Sequence, residues 1–250
     1  MVIQSQQVNL MSANHLQAQL ARRLKWQKQA HKLEMENKEL AKYLPMLRKW
    51  QANRLETSFA RFLDDTKTQP AAHFFLTDLY GDREFLQRDE EAAKILPKMS
   101  KLLPVNLLQA AVDAIELSVL SHALDMRMAR LLAVELPKGQ KLDSKTYQKV
   151  YRKLGYPRLR KLQLDLIMDV GYRLDAVVQK HGIAKLLAAA RWPARLLGLQ
   201  HLQGFLERGF AAFNHLGGAK YFLTEIYNQE TCISARLMRG DANPFQEPFN

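Results

Sequence analysis

Apolar side chains recur at helical spacing along most of this chain of 250 residues. No stretch of four or more residues alternates apolar with polar side chains between turn signals, which is the pattern that a half-buried strand requires. Glycine is also scarce, with 11 residues in the whole sequence. The sequence therefore predicts an all-α fold.

One predicted helix, over about residues 105–135, is apolar nearly all the way round. Leu108, Val112 and Ile115 lie on one side of it, while Leu120 and Leu124 lie elsewhere on its circumference. A helix with this pattern is normally surrounded by other helices. We therefore expect a multi-helix bundle built around this central helix.

The N-terminal part of the chain is predicted to form a helical arm. An apolar stripe indicates a first helix from about residue 12 to about residue 43, which Pro45 should end, and a second helix over about residues 46–65. The segment from Lys67 to Pro70 is a candidate hinge. These signals divide the chain into an arm (residues 1–66), an all-α main domain (67–240) and an irregular tail (241–250).

Turn and capping residues mark the helices of the main domain. A short helix over residues 71–80 should end at Gly81, with Asp82 capping the next helix. Further helices are expected over about residues 144–154, 159–180, 199–216 and 219–239, bounded by Asp143, Gly155, Pro157 and the Gly217–Gly218 pair. Gly171, inside one of them, costs about 1 kcal/mol relative to Ala and so indicates a second helix passing close by.

The composition, with 47% apolar and 25% charged residues, is that of an ordinary soluble globular protein. Cys232 is the only cysteine, which excludes an intramolecular disulfide framework and indicates a reducing compartment. The first 21 residues lack a charged side chain, but they have no basic start and no apolar block, as a secretory signal would. Elsewhere the longest uncharged stretch has 11 residues, whereas a spanning helix needs about 20. We expect a cytoplasmic protein.

Positive charge is concentrated in two segments. The chain has a formal net charge of +12, from 37 Lys and Arg against 25 Asp and Glu. Residues 1–55 contain ten basic and three acidic side chains, a net of +7, and residues 138–161 contain nine and one, a net of +8. The remaining residues therefore sum to −3. Any acidic partner should contact one of these two segments.

The predicted helix over residues 144–154 arranges its charges as a surface. Lys145, Lys149, Arg152 and Lys153 lie within about 100° of one another, whereas apolar and aromatic side chains occupy the reverse face. Arg158 and Arg160, and also Lys138, Lys141 and Lys161, could extend this surface. It would attract phosphates, acidic proteins or anionic lipid headgroups. The alternative is an ordinary solvated helix face.

Two tryptophans of the arm are set among cations. Arg22, Arg23, Lys25 and Lys28 surround Trp26, and Arg48, Lys49 and Arg54 surround Trp50. Proteins that bind single-stranded nucleic acid use aromatic rings set among cations, because bases stack on the rings while phosphates pair with the cations. The alternative is helix pairing, either within the chain or with a second copy, which would make the arm a homo-oligomer contact.

A polar stripe on the central helix is the best candidate for a buried site. Ser118, Ser121, His122 and Asp125 lie within about 100° of one another. His122 and Asp125 are three residues apart, so a hydrogen bond between them could fix the imidazole tautomer for a base or a ligand. The alternative is a core histidine that a neighbouring carboxylate satisfies.

Familiar catalytic motifs are absent from the sequence. It contains no glycine-rich phosphate loop, no G-x-S-x-G and no H-E-x-x-H. This absence disfavours the commonest motif-bearing enzymes, although a site assembled from scattered residues leaves no local trace. We therefore assign no catalytic residue, and we expect no metal and no cofactor.

Two stretches are more distinctive than composition explains. The first reads FFLTDLYGDREF over residues 74–85 and is followed by Arg88 and Asp89, and the second reads WPAR over 192–195 and LQGFLERGF over 202–210. They resemble the signature of an uncharacterised family of bacterial all-helical proteins, over roughly residues 15–235. The resemblance implies a helical fold and no particular activity. From the residues alone, we expect Arg88 and Asp89 to pair or to cap a helix locally.

Two functional hypotheses follow. In the first, the protein acts by binding rather than by catalysis, and its basic surfaces engage an acidic protein or a nucleic acid. In the second, the helical bundle encloses a small-molecule, lipid or metal site near His122 and Asp125, with catalysis as one use of it.

Overall fold

The computed structural model describes residues 2–79, 85–100, 105–137 and 139–246, and the side chains of these residues except 2–12, 85 and 86. The described residues form eleven α-helices, with a π-helical turn over Phe75–Leu79 after the fourth. The helices are α1 (Val2–Glu36), α2 (Lys38–Ser58), α3 (Ala60–Asp64), α4 (Gln69–Phe74), α5 (Phe85–Met99), α6 (Val105–Glu135), α7 (Ser144–Leu154), α8 (Pro157–Val178), α9 (Ile183–Leu196), α10 (Gln200–Leu216) and α11 (Lys220–Arg239).

The long apolar helix α6 lies at the centre of the bundle. It packs against α1, α2, α7 and α8, and its Leu108, Met128 and Leu132 are fully buried. The predicted all-α bundle around a central apolar helix is therefore confirmed. By length and composition alone α6 could also cross a membrane, a test that the core helices of soluble proteins pass as well.

The first two helices meet at Asn37 rather than at Pro45. Asn37 is extended, and its side-chain oxygen accepts from the backbone N–H groups of Glu39 and Leu40 at 3.0 Å, which caps α2. Pro45 lies inside α2, where Leu44 and Leu47 on either side of it are fully buried. The predicted break at Pro45 is wrong because the burial of these leucines offsets the cost of the proline.

The core is divided into clusters that join distant helices. Five phenylalanines pack together in one cluster: Phe59 between α2 and α3, Phe62 of α3, Phe75 of the π-helical turn, Phe213 of α10 and Phe222 of α11. The three-part division at residues 66 and 240 stays a prediction, and apolar residues from both sides of residue 66 share this cluster.

Close helix packing explains Gly171. A Cβ at Gly171 would lie 2.6 Å from a methyl carbon of the buried Leu223, so the absence of a side chain lets α8 and α11 approach. The predicted close approach of a second helix is confirmed.

The helix end predicted at Gly81 and the N-terminal helix cap predicted at Asp82 lie outside the described residues.

Candidate functional site

Local signals define α7, the helix that carries the predicted basic surface. Asp143 caps it by accepting from the Thr146 N–H at 2.8 Å, and Gly155 ends it with a φ of 70°. The inner face of α7 carries Tyr147, Val150 and Tyr151, which are buried in the core. Because one face of α7 is fixed in the core, its opposite face must present the cations to solvent.

One acidic residue sits among these cations. The ammonium groups of Lys149 and Lys153 each lie 2.6 Å from a carboxylate oxygen of Glu135, the last residue of α6. Hydrogen bonds from the two lysines lower the pKa of Glu135 to about 2. The group stays ionised near neutral pH, so it balances one of the two lysine charges and leaves the surface cationic.

The other two cations of α7 differ in their surroundings. Lys145 is exposed. Arg152 packs over the end of α11, where a Cβ at Gly240 would lie 2.7 Å from a guanidinium nitrogen. A cation at the C-terminus of a helix is favoured by the helix dipole. Arg152 therefore has a packing role as well as a charge.

An open depression of about 910 Å³ lies against these side chains. The four cations of α7 line this depression, together with Met238. The other polar lining residues are Glu135, Gln140, Thr146 and Gln148. Ammonium, guanidinium, amide and hydroxyl donors together are suited to bind anionic oxygen atoms. The arrangement can therefore hold an anion.

The structure separates Arg160 from the predicted surface. Arg158 is exposed at the start of α8, but Arg160 is only 7% exposed. Its guanidinium donates to the sulfur of Met128 at 2.9 Å and lies 4.7 Å from the Tyr151 ring centroid. Arg160 is therefore a core residue, because the register of α8 turns it toward α6. Of the proposed extensions, Lys141 is exposed, Lys161 pairs with Asp165 at 2.7 Å, and Lys138 lies outside the described residues.

The predicted buried histidine is in the core, and its partners come from other helices. His122 Nδ1 lies 2.8 Å from Arg48 Nη2, and its Nε2 lies 3.4 Å from Glu34 Oε2. The ring of His31 meets the ring of His122 edge-on, with 5.3 Å between their centroids. Burial, and then the charge of Arg48, lower the pKa of His122 to about 4. His122 is therefore neutral near pH 7.

The rest of the polar stripe takes separate partners. Ser121 accepts from Gln163 at 2.7 Å, Ser118 from Gln27 at 3.4 Å, and Asp125 from Gln51 at 3.2 Å. Burial raises the pKa of Asp125. The polar stripe therefore faces the interior, but its members contact three different helices, α1, α2 and α8. Among the described hydrogen bonds, His122 and Asp125 have different partners.

The first distinctive stretch contributes a second buried acid. Asp89 accepts from Gln27 at 2.6 Å and pairs with Arg88 at 3.0 Å, as expected for a local pair. Burial raises the pKa of Asp89 against the opposing effect of Arg88. Sequence reasoning missed Gln27 and Glu34, and it placed Arg48 beside Trp50 without its contact to His122. Partners from distant helices leave no mark in local spacing.

The two distinctive stretches are bound to each other. Arg208 pairs with Asp78 at 2.6 Å, and the Phe74 and Phe205 rings lie 5.3 Å apart. The Arg88 guanidinium lies 4.5 Å from the Phe205 centroid and donates to the Asp78 carbonyl at 2.8 Å. These residues join α4, the π-helical turn and α5 to α10. Their role in the fold is structural.

The tryptophans of the arm are in different environments. Trp50 stacks on Tyr147 with 4.1 Å between centroids and meets Phe245 edge-on, so its ring is used within the chain. Trp26 is exposed on α1. Pairing of two copies through the arm stays a prediction.

Among the residues that the structure describes, no group of three or more His, Cys, Asp or Glu side chains could hold a metal ion.

Comparison with known proteins places the whole fold in one family. A family model described as "Domain of unknown function (DUF8198)" matches residues 11–244. No curated protein and no solved structure matches the chain. The matched region contains every described helix from α2 to α11 and most of α1. The chain therefore belongs to the family described as Domain of unknown function (DUF8198).

Proposed function

We propose that this protein acts by binding rather than by catalysis, and that the α7 surface engages an acidic partner, either a protein or a nucleic acid. The α7 surface consists of Lys145, Lys149, Arg152 and Lys153 with the depression beside them. The observation that carries the proposal is the arrangement of these four cations on one exposed face, with the Glu135 carboxylate between Lys149 and Lys153. Such a face attracts anions through a field that salt weakens.

The arm is less suited to this role than α7. A stacking platform for single-stranded nucleic acid needs exposed rings among the cations. Trp50 is stacked on Tyr147, which leaves Trp26 as the exposed tryptophan of the arm. Of the arm's cations, Arg23, Arg48 and Arg54 form ion pairs with acidic residues of the chain. Lys149 and Lys153 of α7 are also paired, with Glu135, but their side chains are 65% and 53% exposed, whereas these three arginines are at most 20% exposed. We therefore favour the cations of α7 as the contact with an external partner.

The test is to neutralise three lysines of α7 together. Lys145→Gln, Lys149→Gln and Lys153→Gln remove charge from exposed positions and leave Arg152 in its contact with Gly240. Binding is measured by fluorescence anisotropy with labelled single-stranded DNA and with labelled polyglutamate, at about 50 and 200 mM salt. We expect affinity for at least one probe to fall roughly tenfold or more. For DNA, the salt slope should fall by about 0.7 for each phosphate that no longer pairs with a lysine.

The matched control changes the same charge elsewhere. Lys67→Gln, Lys94→Gln and Lys98→Gln remove three exposed lysines outside α7. We expect this variant to bind like the unchanged protein. Equal losses in both triple variants would mean that only overall charge matters, and that result would overturn the α7 proposal. Failure of the unchanged protein to bind either probe at low salt would also overturn it.

One observation favours the second hypothesis, a small polar ligand in the core. His122 Nε2 and Glu34 Oε2 are buried and lie 3.4 Å apart without a well-aligned hydrogen bond between them. A water molecule or a ligand hydroxyl beside this pair could hydrogen-bond to both atoms. Native mass spectrometry of the purified protein tests for a bound ligand. A mass of 28.8 kDa per chain with no adduct would count against a tightly bound one.

A further inference from the structure

Helix α9 exposes an unusual amount of apolar surface. Leu186 is 64% exposed, Trp192 is 70% exposed and Leu196 is 65% exposed, while Ala194 is the buried residue of this helix. Leu197, directly after α9, is also exposed. Single exposed apolar side chains are ordinary, but a set that includes a tryptophan on one short helix indicates a surface with a partner.

These side chains share one side of the helix. At about 100° per residue, Leu186, Ala189, Trp192 and Leu196 fall within an arc of about 120°. That arc is turned away from Ala194, which faces the protein. Because α9 packs mainly against α10, the arc is presented at the edge of the bundle.

The charges of α9 are all of one sign. Its sequence contains Lys185, Arg191 and Arg195 and no Asp or Glu. Arg191 pairs with Glu207 of α10 at 2.7 Å, while Lys185 and Arg195 are exposed. Lys185 falls within the apolar arc, near its N-terminal end, and Arg195 lies beside the arc. Leucine and tryptophan together with such cations are typical of helices that lie in a membrane interface.

We propose that α9 binds the surface of a membrane that contains anionic lipids. Trp192, Leu186 and Leu196 enter the boundary between headgroups and acyl chains, and Lys185 and Arg195 pair with lipid phosphates. The long side chain of Lys185 can extend from the apolar arc to the headgroups. This surface is separate from α7, so the inference does not depend on the proposed function.

The charges argue against a second copy of the chain as the occupant. A two-fold contact through α9 would place the same patch on both sides of the interface. Lys185 and Arg195 would then face their own copies, and α9 has no carboxylate to pair with them. An anionic lipid surface supplies the missing negative charge and also an apolar layer for the leucines and the tryptophan.

Vesicle co-sedimentation with the full chain tests the proposal. The vesicles are phosphatidylcholine alone, or phosphatidylcholine with about 30% phosphatidylglycerol. We expect binding to the mixed vesicles and much less to phosphatidylcholine alone. The triple variant Leu186→Ser, Trp192→Ser and Leu196→Ser should lose roughly tenfold or more of the binding, because it removes the inserted apolar area. Its circular dichroism and melting temperature should match those of the unchanged protein, since the three side chains are exposed.

The chain offers a matched apolar control. Trp26→Ser, Leu33→Ser and Met35→Ser remove one tryptophan and two exposed apolar side chains from α1, and we expect this variant to bind vesicles normally. The proposal would be overturned by any of several results. These are no binding of the unchanged protein to mixed vesicles, equal binding by the α9 variant, and a change of native mass from dimer to monomer in the α9 variant. Release by the α7 lysine variant, with the α9 variant still bound, would assign the membrane contact to α7 and overturn it as well.

Discussion

The Phe74 ring occupies the space that a side chain at Gly209 would need. A Cβ at Gly209 would lie 2.9 Å from Phe74 Cζ, with two further ring atoms within 3.4 Å. Phe74 is buried on α4, so its ring has neighbours on its other sides. The absence of a side chain at Gly209 therefore sets how closely α10 approaches α4, and it joins the two distinctive stretches of the sequence.

Gly209→Ala should destabilise the protein by about 1 kcal/mol. Overpacking against a buried ring costs about 1–3 kcal/mol, and the better helix propensity of alanine returns about 1 kcal/mol of that. Gly204→Ala on the same helix is the control, since its Cβ would meet only the end of the exposed Arg208 side chain at 3.0 Å. Urea unfolding should show the control unchanged or more stable, and equal stability of the two variants would contradict the packing explanation.

Two neighbouring arginines of α8 should respond differently to the same change. Arg160→Gln should cost about 1–3 kcal/mol, because it removes a buried cation that contacts Met128 and Tyr151 and balances Asp125. Arg158→Gln, at an exposed position, should stay within about 0.5 kcal/mol. Thermal melts of both variants check this, and similar melting temperatures would mean that Arg160 is not in the core.

Glu135→Gln should strengthen anion binding by the α7 surface. The change removes the carboxylate that Lys149 and Lys153 share, so both ammonium groups become available to a partner. Anisotropy titrations should show tighter binding at low salt, and the gain should shrink as salt screens the added charge. Weaker binding would show that Glu135 is needed to position the lysines.

His122 should make the protein less stable as pH falls from about 6.5 toward 4. The folded state holds this group neutral with a pKa of about 4, whereas the unfolded chain takes up a proton near pH 6.5. The unfolded state therefore binds more protons in this window, and the loss reaches roughly 3 kcal/mol at its lower end.

The control for this pH dependence is His122→Gln, which removes the titration. Asp89 and Asp125 have raised pKa values and act in the opposite direction, because the folded state then binds their protons first. They are present in both proteins, so the difference between the two urea midpoints, measured from pH 7 to pH 4.5, isolates His122. A constant difference across that range would contradict the assignment.

Helices with local signals could be predicted from the sequence. Asp143 and Gly155 bound α7, and the Gly217–Gly218 pair precedes α11, because capping and turn geometry depend on neighbouring residues. The boundary at Asn37 was missed, since Pro45 is the stronger local signal. No helix was predicted over α9, where Pro193 interrupts the pattern and the apolar arc faces outward.

The candidate site was predictable only in part. The spacing of the α7 cations shows their common face, but the direction of Arg160 depends on how α8 docks on α6. The contacts of His122 could not be predicted either, since Arg48 lies 74 residues away in the sequence. Tertiary packing of this kind has no local pattern to reveal it.

Helix α2 is completed by a part of the chain that is made much later. Arg54 pairs with Glu230 across 176 residues, and Ser58 accepts from Gln229 across 171. During translation, Phe59 and Phe62, which directly follow α2, leave the ribosome long before Phe222 of α11 exists to pack against them. A nascent chain that stalls before α11 would therefore present an uncovered aromatic surface, and it would be a natural client for a chaperone.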